Sequence, residues 1–455
     1  MWRTHSAAEV DRVTGAELKK HMMTVLDLSN IEALARHYLV VQRERLLDIV
    51  SLVVALILTG GTHEGGRQYD VLRTYVENGA PRVTRGVFYS WFHAPLERLM
   101  IELLRRAIEV GQQQDKILPG ILGGVTDWRV VDSTTIKLDK ALVDEYPGTG
   151  DYAALKVHKE WSVGTGNLVA YQITPARNHD SPALVVDESR RGTGLLLDLG
   201  YASIDRLAEC ETFDVRYVLR LKDGWKPRID RLVRGFITGD VAADADLDLL
   251  IEEDILILDG SVIDADVTLG RSGRTVKSRL VGVPTPKGYC FFITNLPRKT
   301  HGPLQVGDLY RVRWEIEIDH KIEKSAARID EITARKPVSA RILVLASLLN
   351  STIARTIVQS EKLAILALSR QVETAGAVRA PLHPILLMRA LASAHPTVVR
   401  LLLAGTGDDS EWTCLMARLR DFGHDPNWRR RPSMLDRIQG LTAPPGRARK
   451  EKARN

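Results

Sequence analysis

The apolar residues of this chain change their spacing near residue 125, and this change limits the available folds more than any other feature. Before it, runs such as IEALARHYLVVQRERLLDIVSLVVALIL repeat apolar residues at helical spacing. After it, WRVVDSTTIKL, LKVHKEWSV and NLVAYQITPA are rich in β-branched residues, which predicts three strands. A helix in SPALVVDESRR, a strand in GLLLDLGY, a helix in SIDRLAECE and a strand in RYVLRLK are predicted next. This order predicts an α/β fold.

The later part of the chain shows two further changes of pattern. Between about 223 and 300 the segments predict a mostly antiparallel β insertion, and helical spacing resumes near residue 305. The predicted divisions are a helical N-terminal region at 1–118, the two parts of a sheet core at 119–222 and 301–360, the β-rich insertion at 223–300, a helical C-terminal region at 361–440 and a basic, disordered tail at 441–455.

Several classes of protein are disfavoured by composition. The longest apolar run, IVSLVVALIL, has ten residues and is too short to span a bilayer. The N-terminus MWRTHSAAEV has no apolar stretch of the kind that signal peptides carry. The three cysteines are widely spaced, which predicts neither a disulfide framework nor a zinc cluster and fits a reducing cytosol. We therefore expect a cytoplasmic protein without a membrane partner.

The positive charge is concentrated at the C-terminal end. From Leu415 to Asn455 eleven Lys and Arg residues oppose four acidic residues, which gives +7, whereas the whole chain carries +6. Arg429, Arg430 and Arg431 form the densest part of this stretch. Such an end suits a polyanionic partner, most simply nucleic acid, although a solubilising tail has the same composition.

A second basic segment lies in the helical N-terminal region. The stretch YDVLRTYVENGAPRVTRGVFYSWF predicts a helix, an Asn-Gly turn and a second helix, with Arg82 and Arg85 at the second element. A helix-turn-helix facing DNA and a plain helical hairpin both fit this pattern.

Opposed charges are concentrated in YRVRWEIEIDHKIEK, residues 310–324. On an ideal helix, Tyr310, Arg313, Glu317 and Lys324 fall within a stripe about 60° wide, and the isoleucines fall on the opposite side. Glu315 and Asp319 cannot share that stripe. The pattern fits a solvated face with intrahelical ion pairs as well as a functional surface.

Two aspartates lie in strands that are otherwise apolar. Asp132 is inside VVDSTTIKL, and Asp198 follows three leucines in LLLDLGY. A carboxylate in such a place is costly unless it is paired, caps a turn or binds a metal. Together with Glu317 they would offer the oxygen ligands that Mg²⁺ prefers. Two such ions can support phosphoryl transfer.

The spacing Tyr-x2-Arg-x3-Glu-x6-Lys at 310–324 resembles the signature of one branch of the bacterial insertion-sequence DDE transposases. DSTTIKL resembles the strand of the first aspartate in this family, and LDLGYASIDRL followed by YVLRLK resembles the block of the second. ARNHDSPAL resembles the stretch between them, and HDPNWRRRPSMLDRI resembles the C-terminal end. The resemblance covers roughly residues 80–440.

This resemblance implies an RNase-H-like, retroviral-integrase-like core with a β-rich insertion and flanking helical regions. It implies that Asp132, Asp198 and Glu317 are catalytic metal ligands for Mg²⁺, with Mn²⁺ as a possible substitute. It implies that Tyr310 and the two basic residues of the signature, Arg313 and Lys324, contact DNA.

For the whole protein, the resemblance implies a transposase that cuts and joins the ends of an insertion sequence, associated with the nucleoid. The expected partners are double-stranded DNA and a second copy of the chain on paired ends. The alternatives are a nuclease of the same fold that cannot join strands and a non-catalytic DNA-binding protein derived from such an element. The intact carboxylates argue against the last.

Overall fold

The computed structural model describes residues 2–41, 47–59, 68–238, 246–253, 255–271, 273–326, 329–371, 380–405, 409–428 and 430–441. Six helices precede the sheet: α1 (Trp2–Leu26), α2 (Leu28–His37), α3 (Ile49–Thr59), α4 (Gln68–Glu77), α5 (Arg85–Ser90) and α6 (Ala94–Gln112). Every residue of α3 is buried, because this apolar helix packs against α2, α4 and later helices. Of the run with helical spacing at 31–58, residues 31–37 lie in α2 and residues 49–58 lie in α3.

A nine-stranded mixed sheet follows, so the predicted α/β class is confirmed. Its core strands are β1 (Trp128–Lys137), β2 (Ala154–Ser162), β3 (Leu168–Pro175), β4 (Gly194–Leu197) and β5 (Arg216–Arg220), with α7 (Ile204–Thr212) between the last two. The order across this part is β3-β2-β1-β4-β5. The first three strands pair antiparallel, and β1, β4 and β5 pair parallel. The helix predicted in SPALVVDESRR is wrong: this segment forms two short 3₁₀ turns, and Pro182 lies in the first.

The insertion extends the core sheet. It contains β6 (Arg228–Arg234), β7 (Phe236–Ile237), α8 (Leu247–Glu252), β8 (Leu256–Ile257), β9 (Ile263–Arg271), β10 (Arg274–Thr285) and β11 (Gly288–Thr294). β11 pairs antiparallel with β5, and β10, β9 and β6 follow it outward. The antiparallel prediction is therefore confirmed, and the insertion continues the hydrogen-bonded sheet of the core.

The helices after the sheet are α9 (Pro303–Arg311), α10 (Trp314–Ser325), α11 (Pro337–Gln371), α12 (Pro384–Ser393), α13 (His395–Leu403), α14 (Asp409–Gly423) and α15 (Met434–Ile438). α11 runs through the boundary predicted at 360/361, so no structural division lies there. By length and composition α11 could cross a membrane, but 94% of its most apolar window is buried inside the protein, as in the core helix of a globular protein.

The predicted single helix over 310–324 is wrong. α9 ends at Arg311 and α10 begins at Trp314. Across the junction, the amides of Val312 and Arg313 donate to the carbonyls three residues earlier, which tightens the turn relative to an α-helix. A projection that starts at Tyr310 therefore misplaces that residue relative to α10.

The two faces of the sheet are covered by different elements. In β4, Leu195 and Leu197 lie in the core with α7, whereas Leu196 lies in the core with α9, α10 and α15. In β1, Val131 belongs to the first face and Val130 to the second. Because side chains alternate along a strand, the residues at 132 and 198 are directed to the side of α10.

Candidate active site

Asp132 and Asp198 lie at the same level on neighbouring strands. β1 and β4 pair in parallel, with Val131 opposite Leu197, and each aspartate is the next residue. Both are directed to the face that α10 covers. Asp132 is the more buried, with 20% of its side chain exposed against 40% for Asp198. Strand register thus brings together two carboxylates that are 66 residues apart in the sequence.

Glu317 lies on α10 above the same face. His320, one turn after Glu317, places Nε2 3.4 Å from Oδ2 of Asp132. Arg313 donates from Nη2 to Oε1 of Glu317 at 2.7 Å, and its Nη1 lies 3.8 Å from Oδ1 of Asp198. One guanidinium therefore reaches two of the three carboxylates, and the neighbouring turn of the helix reaches the third.

These contacts determine the charge state of Asp132. Burial alone would raise the pKa of its carboxyl, but the contact with His320 and the hydrogen bond from the Ser133 amide, at 2.8 Å, outweigh burial and hold the pKa below its usual value. Asp132 is therefore ionised at neutral pH. Burial also opposes the charge of Arg313, but Tyr310 and the two carboxylates keep its pKa above the ordinary value.

The donor set suits a hard divalent cation. Three carboxylates on one face supply the oxygen ligands that Mg²⁺ and Mn²⁺ prefer. Within the described parts of the chain, no three His, Cys, Asp or Glu side chains lie close enough together to hold one ion. Arg313 stands between Asp198 and Glu317 in this arrangement, so these carboxylates could share an ion only after the guanidinium moved away. The prediction that the triad binds metal stays a prediction.

Tyr310 does not occupy the exposed stripe expected from the sequence. It belongs to α9, is 6% exposed, and its ring packs against Phe292 with 5.2 Å between ring centroids. The Arg313 guanidinium lies 5.7 Å from the centroid of the same ring. The predicted exposed position of Tyr310 is therefore wrong: the ring supports Arg313 from the core side.

Lys324 lies two turns beyond Glu317 on α10 and is partly exposed. Measured from Arg313 on an ideal helix, Glu317, His320 and Lys324 fall within about 60° of one another. The stripe predicted from the sequence is therefore retained along α10 itself, with His320 in place of Tyr310.

Arg82 and Arg85 lie away from the triad, in the helical N-terminal region. Both are exposed, and the Arg85 guanidinium lies 4.6 Å from the centre of the Tyr69 ring. α5 is anchored by Phe88, which is fully buried and packs against Tyr75 and other aromatic rings. Because Phe88 is the buried anchor, most of this short helix faces solvent. A helix-turn-helix facing DNA and a plain helical hairpin both fit this exposure.

The basic C-terminal segment is only partly described. Arg430 and Arg431 are exposed, while Arg429 and residues 442–455 lie outside the described residues. The neighbouring α15 is docked, because Leu435 is buried in the core shared with α9 and α10. Asp436 accepts hydrogen bonds from Lys362 of α11, at 2.7 Å, and from the Trp428 indole, at 3.1 Å. The two arginines are therefore held on the protein surface close to α10 and α11.

Sequence reasoning missed most of the charged groups beneath α10. Lys159 of β2 is fully buried and pairs with Asp319 and Glu323. It lies opposite Asp132 in the β1–β2 register. The one hint in the sequence is that Lys159 alternates with apolar Val157 and Trp161, so it shares their face of the strand. The exclusion of Asp319 from the metal shell agrees with this geometry.

Three further residues of interest, Lys156, His158 and Trp314, lie apart from the three carboxylates. Lys156 and His158 lie on the other face of β2, where Lys156 pairs with Asp180 at 2.9 Å and His158 hydrogen-bonds Thr174 at 3.0 Å. Trp314, at the start of α10, is 56% exposed. An exposed aromatic ring can stack on a nucleic-acid base.

The fold and site together define an α/β protein in which neighbouring parallel strands and one helix gather three carboxylates on a single face of the sheet. The family described as "Transposase DDE domain" matches residues 124–353, which is half of the chain and includes all three carboxylates. The chain belongs to this transposase DDE domain family.

The similar proteins are insertion-sequence transposases. The transposase for insertion sequence element IS231E of Bacillus thuringiensis subsp. finitimus is 25% identical over 240 residues, which is 45% of this chain and 50% of the relative. The transposase for IS421 of Escherichia coli is 33% identical over 89 residues, 20% of this chain and 23% of that relative. The matches thus span half or less of the length of these curated relatives.

Among solved structures, a cryo-EM structure of the piggyBac transposase synaptic complex with hairpin DNA is similar with a TM-score of 0.46 and 10% identity. The likeness covers 92% of this chain and 89% of that chain.

Proposed function

We propose that this protein is a DNA transposase that binds the ends of an insertion sequence and catalyses metal-dependent strand cleavage and transfer. The observation that carries the proposal is the meeting of Asp132 and Asp198 on neighbouring parallel strands beneath the helix of Glu317. The family match and the insertion-sequence transposases among its relatives support it.

The sheet supports an RNase-H-like core. Three antiparallel strands followed by two parallel ones, in the order β3-β2-β1-β4-β5, form the arrangement expected of that fold. The first two catalytic carboxylates then lie on the central strand and directly after the strand beside it. The insertion between β5 and α9 lengthens the chain between the second and third carboxylates without separating them in space.

Asp132, Asp198 and Glu317 would hold Mg²⁺ or Mn²⁺ as a set. When bound, two such ions activate the attacking oxygen and stabilise the leaving oxygen at a phosphodiester. Arg313 and Lys324, which share one stripe along α10, would bind the phosphates of the DNA end. A guanidinium can hold a phosphate with two hydrogen bonds, whereas an ammonium acts as a point charge.

Arg313 connects the two functions of the stripe. In the absence of DNA its guanidinium partly neutralises Asp198 and Glu317. Transfer of Arg313 to a DNA phosphate would free both carboxylates for metal at the moment that the substrate arrives. Exposed Trp314, the next residue, would then lie close enough to the DNA end to stack on a base.

The deciding experiment incubates the protein with the flanking ends of its own element and Mg²⁺. Asp132→Asn, Asp198→Asn and Glu317→Gln should each lower end cleavage by roughly a thousandfold or more, because each removes a metal ligand. DNA affinity should be kept, since it rests mainly on phosphate contacts elsewhere. Glu188→Gln, an exposed carboxylate paired with Arg191, is the control. Full cleavage by the three triad variants would refute the proposal, and cleavage without joining would favour the nuclease alternative.

We also propose that the active species is a homodimer on paired ends, in which each end is cut by the subunit bound mainly to the other. The two exposed basic surfaces, around Arg85 and around Arg430, would allow one chain to contact both ends. Glu317→Gln protein mixed with protein carrying Arg82→Ala and Arg85→Ala tests this. Cleavage by the mixture above the level of either protein alone is expected. No recovery at any ratio, with both proteins folded and pairing ends normally, would contradict action in trans.

A further inference from the structure

The underside of α10 carries a second set of charges that the proposed chemistry does not use. Lys159 of β2 has a fully buried side chain, and its Nζ lies 2.8 Å from Oε2 of Glu323 and also pairs with Oδ2 of Asp319. The other oxygen of Asp319 pairs with Arg355 of α11. The other oxygen of Glu323 accepts from the Ser351 hydroxyl, also of α11, at 3.1 Å. We call Lys159, Asp319, Glu323 and Arg355 the buried quartet.

The buried quartet is tied directly to the strand of the first carboxylate. Lys159 is the cross-strand partner of Asp132 in the antiparallel β1–β2 pair, so both side chains stand on the same face of the sheet. Asp319 and Glu323 are four residues apart and therefore lie on one side of α10. Lys159 thus grips the helix at two successive turns, beside the point where His320 contacts Asp132.

The ion pairs of Lys159 with Asp319 and Glu323 also determine the position of Glu317. Glu317 is two residues before Asp319, so any rotation or sliding of α10 that breaks the pairs with Lys159 also moves Glu317 relative to Asp132. Arg355 and Ser351 fix the helix from the side of α11. α10 is therefore fixed by β2 on one side and by α11 on another. Its remaining side carries the stripe of Arg313, Glu317 and Lys324.

Stability alone does not explain four buried charges. Two cations and two anions balance, but a buried ionic group often contributes no more than well-packed apolar side chains of the same volume. Ion pairs and hydrogen bonds depend on direction, so they restrict α10 to one position more strictly than apolar packing does. Groups that lie behind a metal site can likewise fix the orientation of its ligands.

We propose that Lys159 is a positioning residue which, through Asp319 and Glu323, fixes α10 at the rotation and height that place Glu317 over Asp132 and Asp198. This inference rests on the proposed function for its catalytic consequence, whereas the position of the helix can be measured without metal or DNA.

The main variant removes all four charges together. K159M/D319L/E323L/R355M, the neutral variant, keeps apolar volume under the helix and leaves none of the four charges without its partners, so we expect it to fold. Lys159→Arg keeps a cation that can pair with both carboxylates. The matched control is E160L/R190M, which removes the partly buried ion pair of the next residue on the same strand, on the opposite face of the sheet.

The first readout is the distance between spin labels at Lys321 of α10 and Thr135 of β1, both exposed, in protein whose three cysteines are replaced by alanine. A narrow distance distribution is expected for the parent, for Lys159→Arg and for the control, and a shifted or broader one for the neutral variant. An unchanged distribution in a folded neutral variant would overturn the inference.

The second readout is Mn²⁺ affinity, measured from the paramagnetic signal of the free ion, together with end cleavage. The neutral variant should bind Mn²⁺ and cleave DNA about 10- to 100-fold less well, with Lys159→Arg close to the parent. Normal Mn²⁺ affinity and cleavage in the neutral variant would also overturn the inference. If Asp132→Asn and Glu317→Gln leave Mn²⁺ affinity unchanged, the proposed function fails, and the distance measurement still decides the positioning role.

Discussion

The two sides of α10 use the same kind of residue for different purposes. On one side, Glu317 is about one-third exposed and is paired with Arg313, the residue directly before α10. On the other, Asp319 and Glu323 are almost fully buried and are paired with Lys159 and Arg355, which belong to other elements. Under the proposed function, the carboxylate assigned to metal is held by one partner close to it in sequence, whereas the carboxylates assigned to holding the helix are held by partners from other elements. Solvent access and the origin of the partner separate the two roles.

The largest expected difference between the two sides of α10 is in their contribution to the free energy of unfolding. Lys159→Met leaves two buried carboxylates without their common cation, so we expect the free energy of unfolding to fall by roughly 3–5 kcal/mol. Glu317→Gln removes a carboxylate that is partly exposed, and should change stability by well under that amount while abolishing cleavage. Urea unfolding of both proteins measures the difference. Equal losses of stability would show that Glu317 is also a structural charge.

The second largest expected effect is a loss of stability at acid pH that arises from the buried side of α10. Burial alone would raise the pKa of Asp319, but Arg355 and Lys159 outweigh burial and hold it well below the usual value. A carboxyl with a depressed pKa adds stability above its unfolded pKa, near 4, and that stability is lost as the pH falls toward the folded pKa. One proton corresponds to about 1.4 kcal/mol per pH unit. The parent should therefore lose stability faster than the neutral variant between about pH 5 and 3.

Unfolding curves at several pH values test this prediction. The neutral variant lacks the Asp319 carboxyl, so its stability should fall less steeply over the same interval. Parallel slopes for the two proteins would mean that Asp319 takes up no extra proton on unfolding, and would contradict the proposed strength of its pairing.

Replacing Arg313 should have opposite effects on the affinity for Mn²⁺ and on the affinity for the DNA end, which gives a third comparison. Arg313→Ala removes the cation that partly neutralises Asp198 and Glu317, so Mn²⁺ affinity without DNA should rise, by about tenfold if one close charge is worth roughly 1.4 kcal/mol. The same variant should bind the DNA end more weakly, with the salt slope reduced by about one ion. Arg311→Ala, an exposed arginine paired with Asp308, is the control. Unchanged Mn²⁺ affinity and salt slope would assign Arg313 a structural role.

The smallest expected effect lies at the helical N-terminal surface. Arg82→Ala and Arg85→Ala should each reduce the salt dependence of end binding by about one ion, without altering Mn²⁺ affinity at the triad. Lys324→Ala should reduce the salt slope by a similar amount but act on the cleaved end. Binding titrations at several salt concentrations give these slopes. Normal slopes for Arg82→Ala and Arg85→Ala would favour the plain helical hairpin over a DNA-binding one.

Local sequence pattern was sufficient to predict the core strands, the antiparallel insertion, and the two apolar segments that contain Asp132 and Asp198. These features depend on local spacing, which a single chain displays directly. The pattern also predicted that Glu317, Arg313 and Lys324 share one side of a helix, because these residues lie within about three turns of one another.

Tertiary structure decided the rest. The junction at Val312 and Arg313 moved Tyr310 into the core, since a tightened turn is set by packing of α9 and α10 against the sheet. Lys159 and Asp319 are 160 residues apart, and no local pattern announces their pairing. Burial decides whether a charged residue on an amphipathic helix binds a ligand or holds the helix in place, and burial depends on every element packed around it.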